Sequence, residues 1–370
     1  MMTPLSPSSS MNYESIGRPH SGSFDDNMSA DGAPLLEPRS NDYSRYGIRD
    51  VPKYTTTTAF GKTKTFAGLF PREWIFLAVS LVNLLTAIGL TVYRMVQVLR
   101  DDPESPDFTF TLLLLLNAGF CLFYVFHGVL RERVYELYAF MCAILVVVMY
   151  CVLEYFVFNP DGQTVVKLVR MILAVVMAPP NIFLAFIVSQ NFGYLEFRIV
   201  GASEFLQRLY RQAALFSCLL KFDLQAAISV VVLALREGTS ISTTETVSLA
   251  VGLPFSLLWC LLGWFTLRRE WNPGVWIFAA LGVVKPAYYL YKVIEEYMKL
   301  DKEDKEAEDT IVNSLIAAAA IGLLVWLLLM FELIYVYRNF DKGLRERVAL
   351  VATEKTGLLT AFQRVRQPQA

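Results

Sequence analysis

Eight stretches of roughly 20 predominantly apolar residues follow one another along the chain, each the length an α-helix needs to cross about 30 Å of hydrocarbon. They run Trp74–Val98, Phe108–Leu130, Leu137–Phe158, Leu168–Gln190, Ala213–Leu235, Ser248–Leu267, Val275–Val293 and Ile311–Tyr337. The pattern predicts an all-α, polytopic integral membrane protein with eight transmembrane helices over residues 73–337. Residues 1–72 lack apolar periodicity and are crowded with Ser, Pro, Gly, Asn, Asp and Thr. Such a segment cannot bury enough surface to fold and is expected to be a disordered tail. It carries no charged n-region, apolar core and cleavage site, so the first span is expected to act as an uncleaved anchor. Residues 338–370 form a second polar tail. At 55% hydrophobic and 18% charged residues the composition lies outside the soluble range.

Orientation follows from the short loops, because basic residues mark the cytosolic face. Arg49, Lys53, Lys62, Lys64 and Arg72 precede the first span, Arg131 and Arg133 lie between spans two and three, and Arg198, Arg208 and Arg211 between four and five. Arg268 and Arg269 lie between spans six and seven, and Arg338, Lys342, Arg345 and Arg347 follow the last. The alternate loops are acidic or neutral, as in Asp101-Asp-Pro-Glu104 and the run Glu295–Asp309. Both termini are therefore expected in the cytosol. The longest cytosolic loop, Asn191–Gln212, mixes Leu195, Ile199, Phe205, Leu206 and Leu209 with arginines, which suits an amphipathic headgroup helix or a soluble linker helix.

Charges inside the bilayer are expensive and mark functional or pairing positions. At 1.5 Å per helical residue, Asp223 in span five and Lys285 in span seven both lie about 15 Å from the cytosolic entry of their helices. They have matching depth and opposite sign. Asn83 in span one and Asn117 in span two fall near the same level, and Lys221 and Gln225 flank Asp223. Pro286 follows Lys285, and Pro179-Pro180 precedes Asn181 and should interrupt span four, since proline removes a helical hydrogen bond. Asp223, Lys285, Lys221, Gln225, Asn117, Asn83 and Asn181 are thus the candidate solute or ion pathway. The competing reading is a fixed Asp223–Lys285 ion pair that holds helices together.

The tails carry addresses instead of chemistry. Asp31-Gly-Ala-Pro-Leu35-Leu36 places an acid four positions before a leucine pair, Glu354-Lys-Thr-Gly-Leu358-Leu359 repeats the spacing, and Tyr13-Glu-Ser-Ile16 fits a tyrosine-based sorting pattern. These segments resemble the ligands of clathrin adaptors, which implies a lysosomal or late endosomal membrane, with the plasma membrane as the alternative. The expected partners are the lipid bilayer, clathrin adaptor complexes and a small solute or ion; nucleic acid is not among them.

Other classes fit less well. A non-transporting receptor or scaffold recruiting partners through its tails stays open, although no Asp/Glu-Arg-Tyr follows span three and no Asn-Pro-x-x-Tyr ends the last, as G-protein-coupled receptors would require. Catalysis is not expected, because only His20 and His127 exist and no nucleophile triad or metal motif can be assembled. No cofactor or metal is implied. Cys121, Cys142, Cys151, Cys218 and Cys260 all lie in apolar runs and read as small core residues. An internal echo links Arg133-Val-Tyr-Glu and the exit Val152-Leu-Glu-Tyr155 to Arg269-Glu-Trp and the exit Val293-Ile-Glu-Glu-Tyr297, as in transporters built from repeats. Basic entry and aromatic exit are also what interface anchoring selects, and on the sequence alone we take the echo as that.

Overall fold

A computed structural model describes residues 55–58, 61–101, 106–153, 155–156, 165–235, 243–300 and 308–343. Among these residues a short antiparallel hairpin, β1 (Thr55–Thr58) and β2 (Gly61–Lys64), precedes ten α-helices. These are α1 (Pro71–Asp101), α2 (Pro106–Arg131), α3 (Val134–Leu153), α4 (Val165–Gln190), α5 (Tyr194–Val200), α6 (Glu204–Leu233), α7 (Thr243–Arg269), α8 (Asn272–Gly282), α9 (Val284–Leu300) and α10 (Glu308–Arg338). Eight spans among them are long and apolar enough to cross a membrane, with α8 and α9 together making the seventh. The architecture is predominantly α-helical, with eight long apolar helices of the kind that a multi-pass membrane protein has.

The helices form two four-span rings. In the first bundle α1 packs on α2 and α4, and α3 packs on the same two; in the second, α6 packs on α7 and α10, while α8 and α9 complete the circuit between them. The principal junction between the bundles is α6, which also packs on α2 and α3. It is the most enclosed span, with 56% of its apolar window inside the protein against 17% for α7. In each bundle an edge-to-face aromatic pair sits at the centre: Phe76 on α1 with Phe140 on α3, and Phe216 on α6 with Phe278 on α8. All four rings are essentially fully buried. Gly263 lets this second pair approach, since a Cβ there would lie 2.6 Å from the Phe278 ring.

Both two-to-three turns use the same device. Glu132, between α2 and α3, and Glu270, between α7 and α8, adopt the left-handed conformation with φ of 51° and 48°. That conformation is costly for a residue with a Cβ and persists where the surroundings fix it. Here the carboxylates do so. Glu132 accepts the backbone N–H of Leu195 at 2.7 Å, just past α4, and Glu270 accepts that of Asp341 at 3.0 Å, just past α10. Glu132 also pairs at 2.5 Å with Lys64 of the hairpin, whose ammonium bonds Glu73 of α1 at 2.9 Å.

Four expectations change. The stretch ahead of the first span was expected to lack structure, yet residues 55–58 and 61–64 form strands and Lys64 is buried, because two carboxylates on the bundle recruit it. Span five starts at Glu204, with Ser203 Oγ accepting from the Leu206 N–H, and the preceding loop holds only the two-turn helix α5. Helix α4 runs unbroken through Pro179 and Pro180; Asn181 Nδ2 donates to the Met177 carbonyl at 3.0 Å one turn back, adding a side-chain bond beside the two prolines. The seventh span instead is divided at Val283, three residues before Pro286, whose missing N–H cannot close the turn there. All five cysteines are free; Cys121, Cys151 and Cys218 are buried, Cys260 is half-buried and Cys142 is exposed on the bundle surface.

Candidate functional site

Helix α6 places Lys221, Asp223 and Gln225 within one turn. At about 100° per residue, Lys221 and Gln225 share a face and Asp223 points elsewhere. Each goes to a different neighbour. Lys221 bonds Glu136 of α3 at 2.5 Å, lies 3.4 Å from His127 Nδ1 and sits over the Phe123 ring. His127 stacks on Phe123 and bonds the other Glu136 oxygen. One turn further on, Gln225 accepts from the Tyr124 hydroxyl at 3.0 Å and donates to Asn117 Oδ1 at 2.6 Å. Asn117 in turn donates to the Leu113 carbonyl, and Ser229 to that of Gln225. The result is a polar seam where the α2 face carrying Asn117, Tyr124 and His127 meets the α6 face carrying Lys221, Gln225 and Ser229.

Asp223 turns into the second bundle and is joined by Lys285 of α9, both side chains being essentially inaccessible. The expected match in depth thus becomes a direct ion pair. The Lys285 ammonium lies 3.9 Å from the centroid of the Trp259 ring, which is itself stacked on Phe278 and donates its Nε1–H to the Phe278 carbonyl. An aromatic face lowers the cost of a desolvated cation. The second Asp223 oxygen, Oδ1, has no hydrogen-bond partner among the described residues. The carboxylate therefore depends on Lys285.

Two cavities lie among the described helices, and the larger adjoins the seam. The larger, about 370 Å³, lies between the bundles against α2, α3, α6 and α10. Leu114, Val146, Met149 and Ala226 give it apolar walls, and Asn117, Gln225 and Ser229 put the end of the seam on its edge. The smaller, about 100 Å³, is inside the first bundle and is lined by Asn83, Thr91, Cys121, Val147, Cys151 and Arg170 among others.

The sequence-derived candidates divide accordingly. Gln225 and Asn117 line the large chamber, and Asn83 the small cavity. Asp223 and Lys285 line neither cavity; they join α6 to α9. Lys221 joins α6 to α3, and Asn181 accepts from Ser80 of α1 at 3.0 Å, joining α4 to α1. The sorting motifs at residues 13–16, 31–36 and 354–359, and most of the acidic run 301–309, lie outside the described residues. Sequence reasoning missed four charged participants. Arg170 and the Arg94–Asp107 pair (2.6 Å) lie within or against apolar stretches, so the rule that flagged Asp223 would have found them. Glu136 sits at the mouth of span three, where an acid reads as ordinary solvation, and only the tertiary contact reveals its role. Among the described residues no group of three His, Cys, Asp or Glu side chains is arranged to hold a metal ion.

No curated protein and no solved structure matches the chain. A family model described as a domain of unknown function, DUF7789, matches residues 60–190 and 200–335, together more than two thirds of the sequence. Those stretches take in all four spans of the first bundle and nearly all of the second, so the chain belongs to the DUF7789 family.

Proposed function

We propose that this protein is a transporter of small amphipathic solutes in the endolysosomal membrane, with the 370 Å³ chamber between the bundles as the solute site. The observation that carries the reading is the chamber's makeup: mostly apolar walls with a few hydrogen-bonding groups, Asn117, Gln225 and Ser229 where the α2–α6 seam ends, Asn313 and Ser314 on α10 and Tyr150 on α3. Ligand sites combine apolar lining with a few convergent polar groups in this way. A solute with an apolar body and a few hydrogen-bonding groups suits it. Because α6 is fixed to the second bundle by Asp223–Lys285 and forms a chamber wall, movement of one bundle against the other would reshape the chamber, the logic of alternating access. The cytosolic tails would deliver the protein through clathrin adaptors reading the dileucine signals.

Two measurements check this. Tagged full-length protein should co-distribute with lysosomal markers, and the combined Leu35→Ala, Leu36→Ala, Leu358→Ala, Leu359→Ala variant should move to the cell surface. Unchanged residence of that variant would remove the endolysosomal assignment. In proteoliposomes offered a mixture of small amphipathic acids, amines and neutral solutes, wild type should accumulate at least one species that Ala226→Trp, which fills the chamber, does not. Identical solute content in both, with the variant folded, would sink the transport reading.

A further inference from the structure

The chamber between the bundles is a groove with a floor and two walls. The floor is α2 and α6, whose Leu113, Leu114, Gln225, Ala226, Ser229 and Leu233 are buried. The walls are α3 and α10, which each pack on α6 and are not principal partners of each other. Along these walls Leu145, Val146 and Met149 of α3, and Asn313 and Ala317 of α10, are exposed. On helices this long and apolar an exposed Leu, Val or Met faces hydrocarbon, so the groove opens sideways to lipid between α3 and α10.

Its depth matches one leaflet. From Phe222 to Leu233 along α6, eleven rises of 1.5 Å make about 16 Å. That is half of a hydrocarbon core of about 30 Å. Leu233 ends α6, Leu153 ends α3 and Asn313 lies in the second turn of α10, so the groove runs from the membrane boundary opposite the two tails to the midplane. None of its described lining residues is charged. A phosphate, carboxylate or ammonium placed there would lose water without gaining a counter-ion, so the occupant is neutral.

The polar groups divide by end. At the midplane Gln225, Asn117 and Ser229 serve one another, Tyr124 and the backbone. At the boundary Ser314 Oγ is buried and has no hydrogen-bond partner among the described residues; it shares that end with Asn313 and Tyr150. A buried hydroxyl without a partner is costly and marks a place for a ligand's polar atom. A hydroxyl group, which both gives and takes a hydrogen bond without charge, meets that demand. The walls shape the rest. Ala317 and Ala318 of α10, with Ala226 of the floor, make one side smooth, while Leu145, Val146 and Met149 make the other ridged. A sterol has the matching form: one flat ring face, one face carrying methyl groups, a hydroxyl at one end and the length of one leaflet. Its rigid rings also lose less freedom on binding than an acyl chain would.

We infer that the groove is a sterol site, entered through the α3–α10 gap from the leaflet opposite the two tails, with the sterol hydroxyl on Ser314 and its rings between the alanine side and the Leu145–Met149 side. The inference rests on the chamber being the solute site proposed above, and it names that solute as a membrane lipid.

In the test, full-length protein in nanodiscs is photolabelled with a diazirine analogue of cholesterol, and the labelled peptides are mapped by mass spectrometry. Labels should fall on residues 145–153 of α3 and 313–321 of α10. Cholesterol premixed in the nanodisc lipid should compete them away, while cholestane, which has the ring body without the hydroxyl, should compete about three- to tenfold less well, the worth of one hydrogen bond. Ser314→Ala removes an oxygen that is unpaired without a ligand, so the variant should keep or raise its Tm. It should weaken competition by cholesterol by the same factor and leave that by cholestane unchanged. Ala317→Trp, which puts a ring into the groove from its lipid-facing wall, should abolish the chamber label. Labels no denser on the chamber than on lipid-facing α7, or competition by cholesterol unmoved in Ser314→Ala, would overturn the sterol site. So would a monoacylglycerol that competes better than cholesterol. Transport is decided separately: a labelled chamber with no solute accumulation sensitive to Ala226→Trp supports this site and overturns transport, while such accumulation of a water-soluble solute with no chamber label overturns this site alone.

Discussion

Replacing Lys285 by Met should lower stability by about 3–5 kcal/mol, and adding Asp223→Leu to that variant should restore most of the loss. The reason is asymmetric. Removing one member of a buried pair strands the other charge, while replacing both by apolar groups of similar volume removes the desolvation cost along with the attraction. Both side chains here are essentially inaccessible, so solvent does not screen them. Among the described residues Asp223 has no second partner to fall back on, because its Oδ1 makes no hydrogen bond there. Asp223→Leu alone should cost less than Lys285→Met alone, because the stranded ammonium still has the Trp259 face. Unfolding of the four proteins in one detergent, read as a double-mutant cycle, measures the coupling. Additive single losses would show that the pair does not act as a unit. Solute accumulation by the double variant then separates the two roles: a folded, active double variant makes the pair structural, and a folded, inactive one places it on the pathway.

What the sequence disclosed depended on how locally each feature is specified. The eight spans were legible because a bilayer demands about 20 apolar residues whatever surrounds them. The Asp223–Lys285 partnership was legible because helix rise is fixed, so depth can be counted along two helices and compared. Which face each residue takes was only half visible. The two-residue spacing separated Lys221 from Asp223, but nothing local says that Lys221 meets Glu136 or that Gln225 meets Asn117. Those choices belong to the packing of α6 between the bundles. The chamber was illegible for the same reason, as it is made by four helices distant in sequence. The reading of Pro179-Pro180 as a break failed because a helix can continue past the hydrogen bonds that its prolines cannot make, as α4 does from Val165 to Gln190. The hairpin failed for a different reason. Its threonine-rich strands are too polar to fold alone, and they are held by a lysine seated between two carboxylates that lie 9 and 68 positions later in the chain.

That lysine seat leads to the second large effect. Glu132→Ala should cost about 3 kcal/mol, whereas Glu270→Ala, at the matching turn, should cost about 1 kcal/mol or less. Both substitutions remove a carboxylate that accepts a backbone N–H beyond the fourth span of its bundle, and both leave an alanine with the same left-handed strain. The difference lies in burial and in the second partner. The Leu195 N–H bond is buried, so its loss strands a donor away from water, while the Asp341 N–H is exposed and can turn to solvent. Glu132 also compensates half of the seat around Lys64, whose side chain is 1% exposed, leaving Glu73 as its remaining partner. Glu132→Ala should therefore loosen the hairpin as well as the turn, and limited proteolysis should cut near residues 55–64 in this variant and not in Glu270→Ala. Glu132→Gly separates strain from charge: glycine relieves the left-handed backbone, which recovers about 1 kcal/mol, but cannot hold Lys64. Protection of the hairpin in Glu132→Gly equal to that of the wild type would mean that Glu73 alone seats the lysine, and that the Glu132 carboxylate serves only the Leu195 N–H.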